Sequence, residues 1–544
     1  MKSSDRAGKP LNIAWYLLFS LVFLAQVIPG IYQNSPTDDE PLDLTNGYFY
    51  WTGDVVTHNR HPPLSPALQA LPLRWGDLND HLTPSLQENQ LRAYQFFFVW
   101  NKGRFEWMTS CGRWVSVLFG LGIGILLFFQ IRPQGFWAGL AAISLWAFHP
   151  TLLAYSGLAL ADITVTFFLL AAVIAFQRHL ENPGTRWSLL SGGLAALAAC
   201  SKFSALALIP VFILLEGQTL YSLSKTRKPH AWPQVTWDWL AGSAAFLLAV
   251  CAVYFPGTLF QPDHRFPFVY FLRGLEDLMG YSGYHHPVYF LGKCTRQNHW
   301  LFFPSAFLLK NTIPFTLLSF VAVGTALGKR NFVPAWIWVT PLVFSISILP
   351  VQNLGVRYLL PAIPFLILMA SKMAGEWSGK KTGKLLVGGL LLWNALSVLV
   401  NGPHLIGYFN DLIPPGKKVY YLSDSDLDMG QDVKRLAQVG LQRGWKKVKL
   451  AQFGGALDPS LYGLTCVPWT QRDLLGPQPG QVYAVNVTLF QTGPVFSSDL
   501  LPIAKSWAST AVPTGRVGDS WLFFETPGEP TPDPSPSLSS MRIF

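Results

Sequence analysis

Positive charge in this chain returns at every second exit from a hydrophobic stretch and is scarce in between. Arg132, then Arg178 and Arg186, then Lys225, Arg227 and Lys228, then Lys329 and Arg330, then Lys372, Lys380, Lys381 and Lys384 occupy short loops, and Lys2, Arg6 and Lys9 join the set. Short loops rich in Lys and Arg mark the cytoplasmic side of a multi-pass membrane protein. The rhythm therefore predicts an integral, multi-pass protein with its N-terminus in the cytoplasm, and a bacterial plasma membrane is the expected location. Only 13% of the residues are charged, against about 25% in an average soluble domain. The net charge of +10 sits in these loops, so lipid rather than nucleic acid is the expected partner of the basic residues.

A membrane helix needs about 20 apolar residues. Clear spans are 12–31, 112–131, 238–256, 311–328, 332–350, 357–373 and 385–401. No small-residue cleavage pattern follows the first, which reads as a retained helix rather than a leader. Two longer tracts, 136–177 and 187–221, have basic residues at both ends, so each must double back. The first is expected to reverse between His149 and Gly157, and the second at Ser201-Lys202. The expected fold is a membrane all-α bundle of about eleven helices, residues 1–401, with Asp162 and Lys202 at its outer surface. Outer loops 32–110 and 257–310 interrupt it. In the first, Leu64–Leu73 and Leu91–Trp100 read as amphipathic interfacial pieces.

Residues 402–526 read as an extracytoplasmic α/β domain. Strand-like Lys418–Ser423 precedes helical Gly430–Arg443 and strand-like Lys447–Phe453, and Val482–Leu489 and Trp521–Phe524 add further strands. Residues 527–544, rich in Pro and Ser, are expected to be disordered. The five cysteines show no metal-like spacing; Cys294 and Cys466 are both on the expected outer side, where a pairing is conceivable. Asn486-Val487-Thr488 fits a glycosylation acceptor pattern.

Ionisable residues gather where the outer loops meet the membrane. They are Asp38, Asp39 and Glu40 after the first span, His61, Asp162, Lys202, His285 and His286, Lys310, and Arg357 with Tyr358. Such groups are expensive at the membrane and usually functional. Together they suit transfer from a phosphorylated lipid. A carboxylate takes the proton of an acceptor hydroxyl, while Lys, Arg and His hold the phosphate and stabilise its growing charge. Each residue also has a plainer reading. The acidic run is a solvated stretch, Asp162 a helix cap, Lys202 a snorkelling side chain, Arg357 an interfacial anchor, and the histidines polar loop residues.

The same motifs, in order over roughly 12–526, resemble the GT-C type polyprenyl-phosphate-dependent glycosyltransferases, relatives of the protein O-mannosyltransferases and of the lipid A aminoarabinose transferase. Asp39-Glu40 is similar to their "DE", His61-Pro62-Pro63-Leu64 to "HPPL", and Ser201-Lys202 to the lysine of a "TK" or "SK" turn. Asp162 is similar to a second acidic position of the family. Tyr289–Gly292, Trp300–Phe303 and Lys310–Pro314 are similar to "YLLG", "WYYF" and "KTPLP", with Asn311 interrupting the last. Gly355–Pro361 is similar to "GxRYLLP", and Asp424–Asp432 to "DSNLDWGQDL", with Met429 in place of the tryptophan. Arg60 stands where the lipid A enzyme carries an acid associated with a metal, so no cofactor or metal ligand is assigned, and a divalent metal is left as an open alternative.

The resemblance implies a GT-C bundle and an inverting glycosyltransferase. Its partners would be a polyprenyl-phosphate-linked sugar, undecaprenyl or dolichyl, and a protein, lipid or glycan acceptor on the extracytoplasmic face. Asp39 would be the base, Glu40 its support, and Asp162 would orient the acceptor or share the base role. His61, Lys202, His285, Lys310, Arg357 and Tyr358 would bind lipid phosphate or substrate. The rival reading is a transporter or flippase of lipid-linked sugars. It shares the helices and the basic grip but needs no carboxylate at a reacting carbon.

Overall fold

The computed structural model describes residues 11–52, 61–80, 89–225, 232–258, 265–281, 287–329, 332–452, 457–496 and 506–527. His285 and His286, Arg60, the loop cations Lys2, Arg6, Lys9, Arg227, Lys228 and Arg330, and residues 528–544 of the tail lie outside them. Packing divides the chain into two compact units, Met1–Gln431 and Asp432–Phe544.

The first unit is helical. Its order begins α1 (Ile13–Gln33), α2 (Glu40–Thr52), α3 (Phe105–Ile131), α4 (Phe136–Ala147), α5 (Pro150–Ser156), α6 (Ala161–Glu181), α7 (Thr185–Ser201), α8 (Leu208–Lys225) and α9 (Trp232–Thr258). It continues with α10 (Ile313–Gly328), α11 (Ala335–Ser347), α12 (Ile363–Trp377) and α13 (Lys381–Asn401). Leu64–Ala70 and Asn89–Tyr94 form short helices in the first loop.

Both long tracts break where basic residues at each end demanded it. α4 and α5 meet at a 53° bend. His149 caps α5, its Nδ1 accepting the Leu152 N–H at 3.3 Å, and Pro150 opens that helix as a first-turn proline should. α7 stops at Ser201, and Lys202 is extended. Seven helical stretches among the described residues are long and apolar enough to cross a membrane, or eight if the α4–α5 pair counts as one. That criterion does not reach the expected eleven. α10 and α11, expected as spans, have 16 and 13 residues, hence lengths of about 24 and 20 Å against a core of about 30 Å. Pro314 and Pro334 fix where they begin.

The core of this unit is made by apolar faces of α1, α3–α8 and α10–α13. Phe23 stacks on Trp146 at 4.6 Å between ring centres, and the Trp146 indole donates to the Gly120 carbonyl at 3.1 Å. A small hairpin, β1 (Val288–Phe290) with β2 (Lys293–Thr295), pairs antiparallel.

The division at 431/432 differs from the expected boundary at 401/402, because residues 402–431 fold onto the first unit. Lys418–Ser423 is not a strand. Pro415–Tyr420 winds as a 3-10 helix, and only Leu422 makes a single bridge, to Phe290. Tertiary packing of Leu422, fully buried, overrides the strand preference of its neighbours.

The second unit contains α14 (Val433–Gln442) and strands β3 (Val448–Ala451), β4 (Cys466–Pro468), β5 (Val482–Asn486), β6 (Gly515–Val517) and β7 (Trp521–Glu525). Their order in one sheet is β4-β3-β5-β7-β6. β3 runs parallel to β4 and β5, and β7 antiparallel to β5 and β6. β5 ends at Asn486, earlier than the expected Leu489, because the Asn486 side chain accepts the Leu489 N–H at 3.2 Å and starts a helix, Val487–Phe496. Asn486 is buried at 3% exposure, so the 486–488 tripeptide does not present an acceptor amide to solvent in this fold. Cys294 and Cys466 are both free thiols.

Candidate active site

Asp39 is the residue immediately before α2, and its carbonyl accepts the Asp43 N–H at 3.1 Å. A helix N-terminus is a favourable place for a carboxylate. Its side chain is 53% exposed, and Oδ2 lies 3.3 Å from Arg357 Nη1. Arg357 is only 15% exposed, and its Nε has no hydrogen-bond partner among the described residues. Tyr358 follows, with its ring 5.9 Å from the Arg357 guanidinium and 4.8 Å from Lys202 Nζ. Lys202 in turn pairs with Asp162 Oδ1 at 2.8 Å. Thus acid, cation, aromatic ring, cation and acid form one continuous chain.

Four parts of the sequence supply it, and each is pinned. Lys202 emerges where α7 ends, its N–H donating to the Ala198 carbonyl at 3.0 Å. Asp162 stands in the first turn of α6 and is 4% exposed. Arg357 stands two residues after Gly355, whose φ of +136° suits glycine. The Val356 N–H donates to Asp426 Oδ1 at 2.8 Å, and the Ser425 hydroxyl donates to the Leu354 carbonyl. On the other side, Ser35 N–H donates to the Gln431 carbonyl at 3.0 Å and Asp38 N–H to the Met429 carbonyl at 2.9 Å. Segment 424–431 therefore clamps both the Asp39 loop and the Arg357 loop.

Glu40 does not line open space. Its two oxygens meet Arg113 Nε and Nη2 at 2.8 and 2.6 Å, and also accept the Ala159 and Thr37 N–H groups at 2.7 and 2.8 Å. Arg113 donates besides to the carbonyls of Ile31, Asn34 and Ser35. Glu40 thus fixes the loop that presents Asp39. Lys310 departs from its expected place on the phosphate. Its Nζ donates to the Ile406 carbonyl at 2.8 Å and to the Asp426 carbonyl, so it ties down the 406–426 segment.

His61 is exposed, yet surrounding protein lowers its pKa. Lys202 and Arg357 push the same way, while Asp39 and Asp162 oppose. Their influence places His61 within electrostatic reach of the chain of charges.

Three further carboxyls lie near it: Asp38 of the acidic run, and two that the sequence did not single out as site residues, Asp43 and Asp424. Burial raises the pKa of Asp43 to about 8, with Asp39 and Asp162 adding and Lys202 and Arg357 opposing. Burial raises Asp424 to about 6, against the pull of Arg357. Asp38 is raised by burial and by Asp428, Asp39 and Asp424. Among the described residues no three His, Cys, Asp or Glu side chains converge to hold a metal ion.

Residues 94–255 match the family model described as dolichyl-phosphate-mannose-protein mannosyltransferase. The fold is similar to the crystal structure of ArnT from Cupriavidus metallidurans in the apo state, with a TM-score of 0.50 at 12% identity, covering 94% of this chain and 98% of that one. The chain thus shares the fold of that ArnT, and part of it carries the signature of the mannosyltransferase family. Its apolar helices make it an integral, multi-pass membrane protein. The same ArnT bound to undecaprenyl phosphate is similar at a TM-score of 0.47 and 14% identity, over 94% and 98% of the two chains. The S. cerevisiae Pmt1-Pmt2 complex bound to its sugar donor is similar at 0.32 and 18% identity, over 49% of this chain and 34% of that one. No curated protein sequence matches the chain.

Proposed function

We propose that this glycosyltransferase moves a sugar from a polyprenyl-phosphate donor to a hydroxyl acceptor on the extracytoplasmic face, with inversion at the anomeric carbon. The observation that carries the reading is the Arg357–Asp39 contact at 3.3 Å beside the Lys202–Asp162 pair. It joins a solvent-facing carboxylate to two cations around one aromatic ring.

The donor's phosphate sits on Arg357 and Lys202. The unpartnered Arg357 Nε is a donor in reserve for it, and guanidinium suits a phosphate's paired oxygens. Binding there draws Arg357 off Asp39 and frees that carboxylate. The acceptor oxygen then attacks the anomeric carbon from the Asp39 side. Its proton passes to Asp39, the carbon–oxygen bond to phosphate breaks, and the bonding pair stays on the phosphate. Lys202 and Arg357 stabilise the charge that arrives. Asp162 holds Lys202 in position. The matched family, whose name carries a dolichyl-phosphate sugar, supports the donor class, and the positive-inside rhythm of the loops supports the face.

Asp39→Asn is the direct test. Transfer from polyprenyl-phosphate sugars in a membrane assay should fall by about 10²- to 10⁴-fold, the usual worth of a general base. Full retention of activity would remove the base from the scheme.

A further inference from the structure

One turn into α2 from Asp39 lies Asp43, a half-buried carboxyl on the same helix face. Residues four apart on a helix are neighbours, and the backbone bond from Asp43 to Asp39 at 3.1 Å confirms the turn. The Asp43 side chain has no hydrogen bond or ion pair among the described residues. The face carrying Asp39 and Asp43 continues to Gly47, where a Cβ would collide with the Pro66 backbone and Ala70. Trp51 Nε1, one turn further, donates to the Ala67 carbonyl at 2.6 Å. This stripe therefore points at the segment that follows His61. Gln69 of that segment donates to the Leu160 carbonyl at 2.8 Å, which ties it to the start of α6, beside Asp162. The Asp43 carboxyl is thus partly exposed on this side of α2, within electrostatic reach of Asp39 and Asp162.

We propose that Asp43 contacts a hydroxyl of the transferred sugar and sets which sugar the enzyme accepts. This rests on the reading of Asp39 as base and of Lys202 and Arg357 as the phosphate grip. A sugar undergoing inversion lies between the attacking oxygen and the departing phosphate. The helix rises about 6 Å from Asp39 to Asp43, comparable with the width of a sugar ring. A free carboxyl at that point is badly placed for the anionic phosphate and well placed for a ring hydroxyl.

The groups facing Asp43 are Asp39 on its own helix side, Asp162, Lys202 and Arg357. Charges on the other elements packed against α2 act elsewhere: Arg113 on Glu40, Arg92 over the Phe49 ring at 3.9 Å, and the exposed Arg74 on Tyr48. A pKa of about 8 leaves Asp43 protonated at neutral pH, able both to donate to a sugar oxygen and to accept from a hydroxyl.

The test uses the full-length protein in nanodiscs, with sugar-free polyprenyl phosphate and a panel of polyprenyl-phosphate hexoses and pentoses that includes mannose. Asp43→Ala should lower kcat/KM for the preferred sugar by about tenfold to a hundredfold, the worth of one or two hydrogen bonds, and flatten the preference across the panel. Its affinity for sugar-free polyprenyl phosphate should match wild type, which also certifies folding. Wild-type kcat/KM should decline as pH rises through about 8, and the isosteric Asp43→Asn should lose that limb. If Asp43→Ala keeps both the wild-type preference and the limb, the role is wrong even though transfer itself stands. A wild type that binds polyprenyl phosphate but transfers none of the sugars, as inert as Asp39→Asn, sinks the glycosyltransferase reading and this one with it.

Discussion

Arg113 grips both carboxylate oxygens of Glu40 in a fully buried pair, with exposures of 1% and 0%. Removing one partner strands the other as an uncompensated buried charge, which costs about 3–5 kcal/mol. Arg113→Met and Glu40→Leu should each lower the thermal unfolding midpoint of the detergent-solubilised protein and abolish transfer. The double replacement should recover much of the stability but not the activity, because the carbonyls of Ile31, Asn34 and Ser35 would still lack their donor. A double variant with wild-type activity would show that the pair does not position Asp39.

Much of this site is legible in the sequence because a membrane makes charge conspicuous. Asp162, Lys202 and Arg357 each interrupt apolar residues at a span end or a forced reversal. Lys202 stands out since 187–221 cannot cross once with basic residues at both ends. Arg113 is visible by the same logic, a lone cation inside an apolar run, but its partner is 73 residues away and no local rule supplies it. Asp43 hides in an ordinary polar stretch, and its signal is only the four-residue spacing from Asp39. Segment 424–431 misleads for another reason. Lys418–Ser423 has strand-like composition, so it reads as the opening of the soluble domain. The bonds from Ser35 and Asp38 to 429–431 are long-range and leave no periodic trace.

Asp43 also gives the fold a pH dependence with a definite sign. A carboxyl with a pKa of about 8 when folded, against about 3.9 unfolded, binds its proton more tightly in the folded state. Stability from this group is full at acid pH and is lost as pH rises towards 8. Asp424, at about 6, loses its share sooner. His61, with its lowered pKa, works in the opposite sense below about pH 6.5. The clean window is therefore pH 6.5 to 8.5, both limits approximate, where the unfolding midpoint should fall with pH. Asp43→Asn should shrink that slope. A wild-type midpoint that climbs across the window would contradict the burial assigned to Asp43.

Gly355 offers a sharper structural check. Its φ is +136°, and a Cβ there would strike the Ser425 side chain. Gly355→Ala combines backbone strain of about 1–3 kcal/mol with loss of the seat that Ser425 and Asp426 make for Val356 and Arg357. Reduced affinity for polyprenyl phosphate is expected, because Arg357 shifts. Unchanged affinity would mean that the loop tolerates another path.

The phosphate grip itself divides into two cations of different kinds. Arg357 reaches Asp39 through one terminal nitrogen and keeps Nε unpartnered. Lysine has a single charged nitrogen and cannot reproduce that fork. Arg357→Lys should therefore weaken binding of sugar-free polyprenyl phosphate by about tenfold or more, the worth of a charge-assisted hydrogen bond at about 1.5–3 kcal/mol. Lys202→Ala removes the second cation and leaves Asp162 buried without its partner. It should weaken binding as much, and Asp162→Asn should partly relieve it by deleting the stranded charge. Because the two cations share one ligand, the combined loss in Arg357→Lys with Lys202→Ala should depart from the sum of the single losses. Strict additivity, measured by titrating polyprenyl phosphate into nanodiscs, would place the two residues on separate ligands.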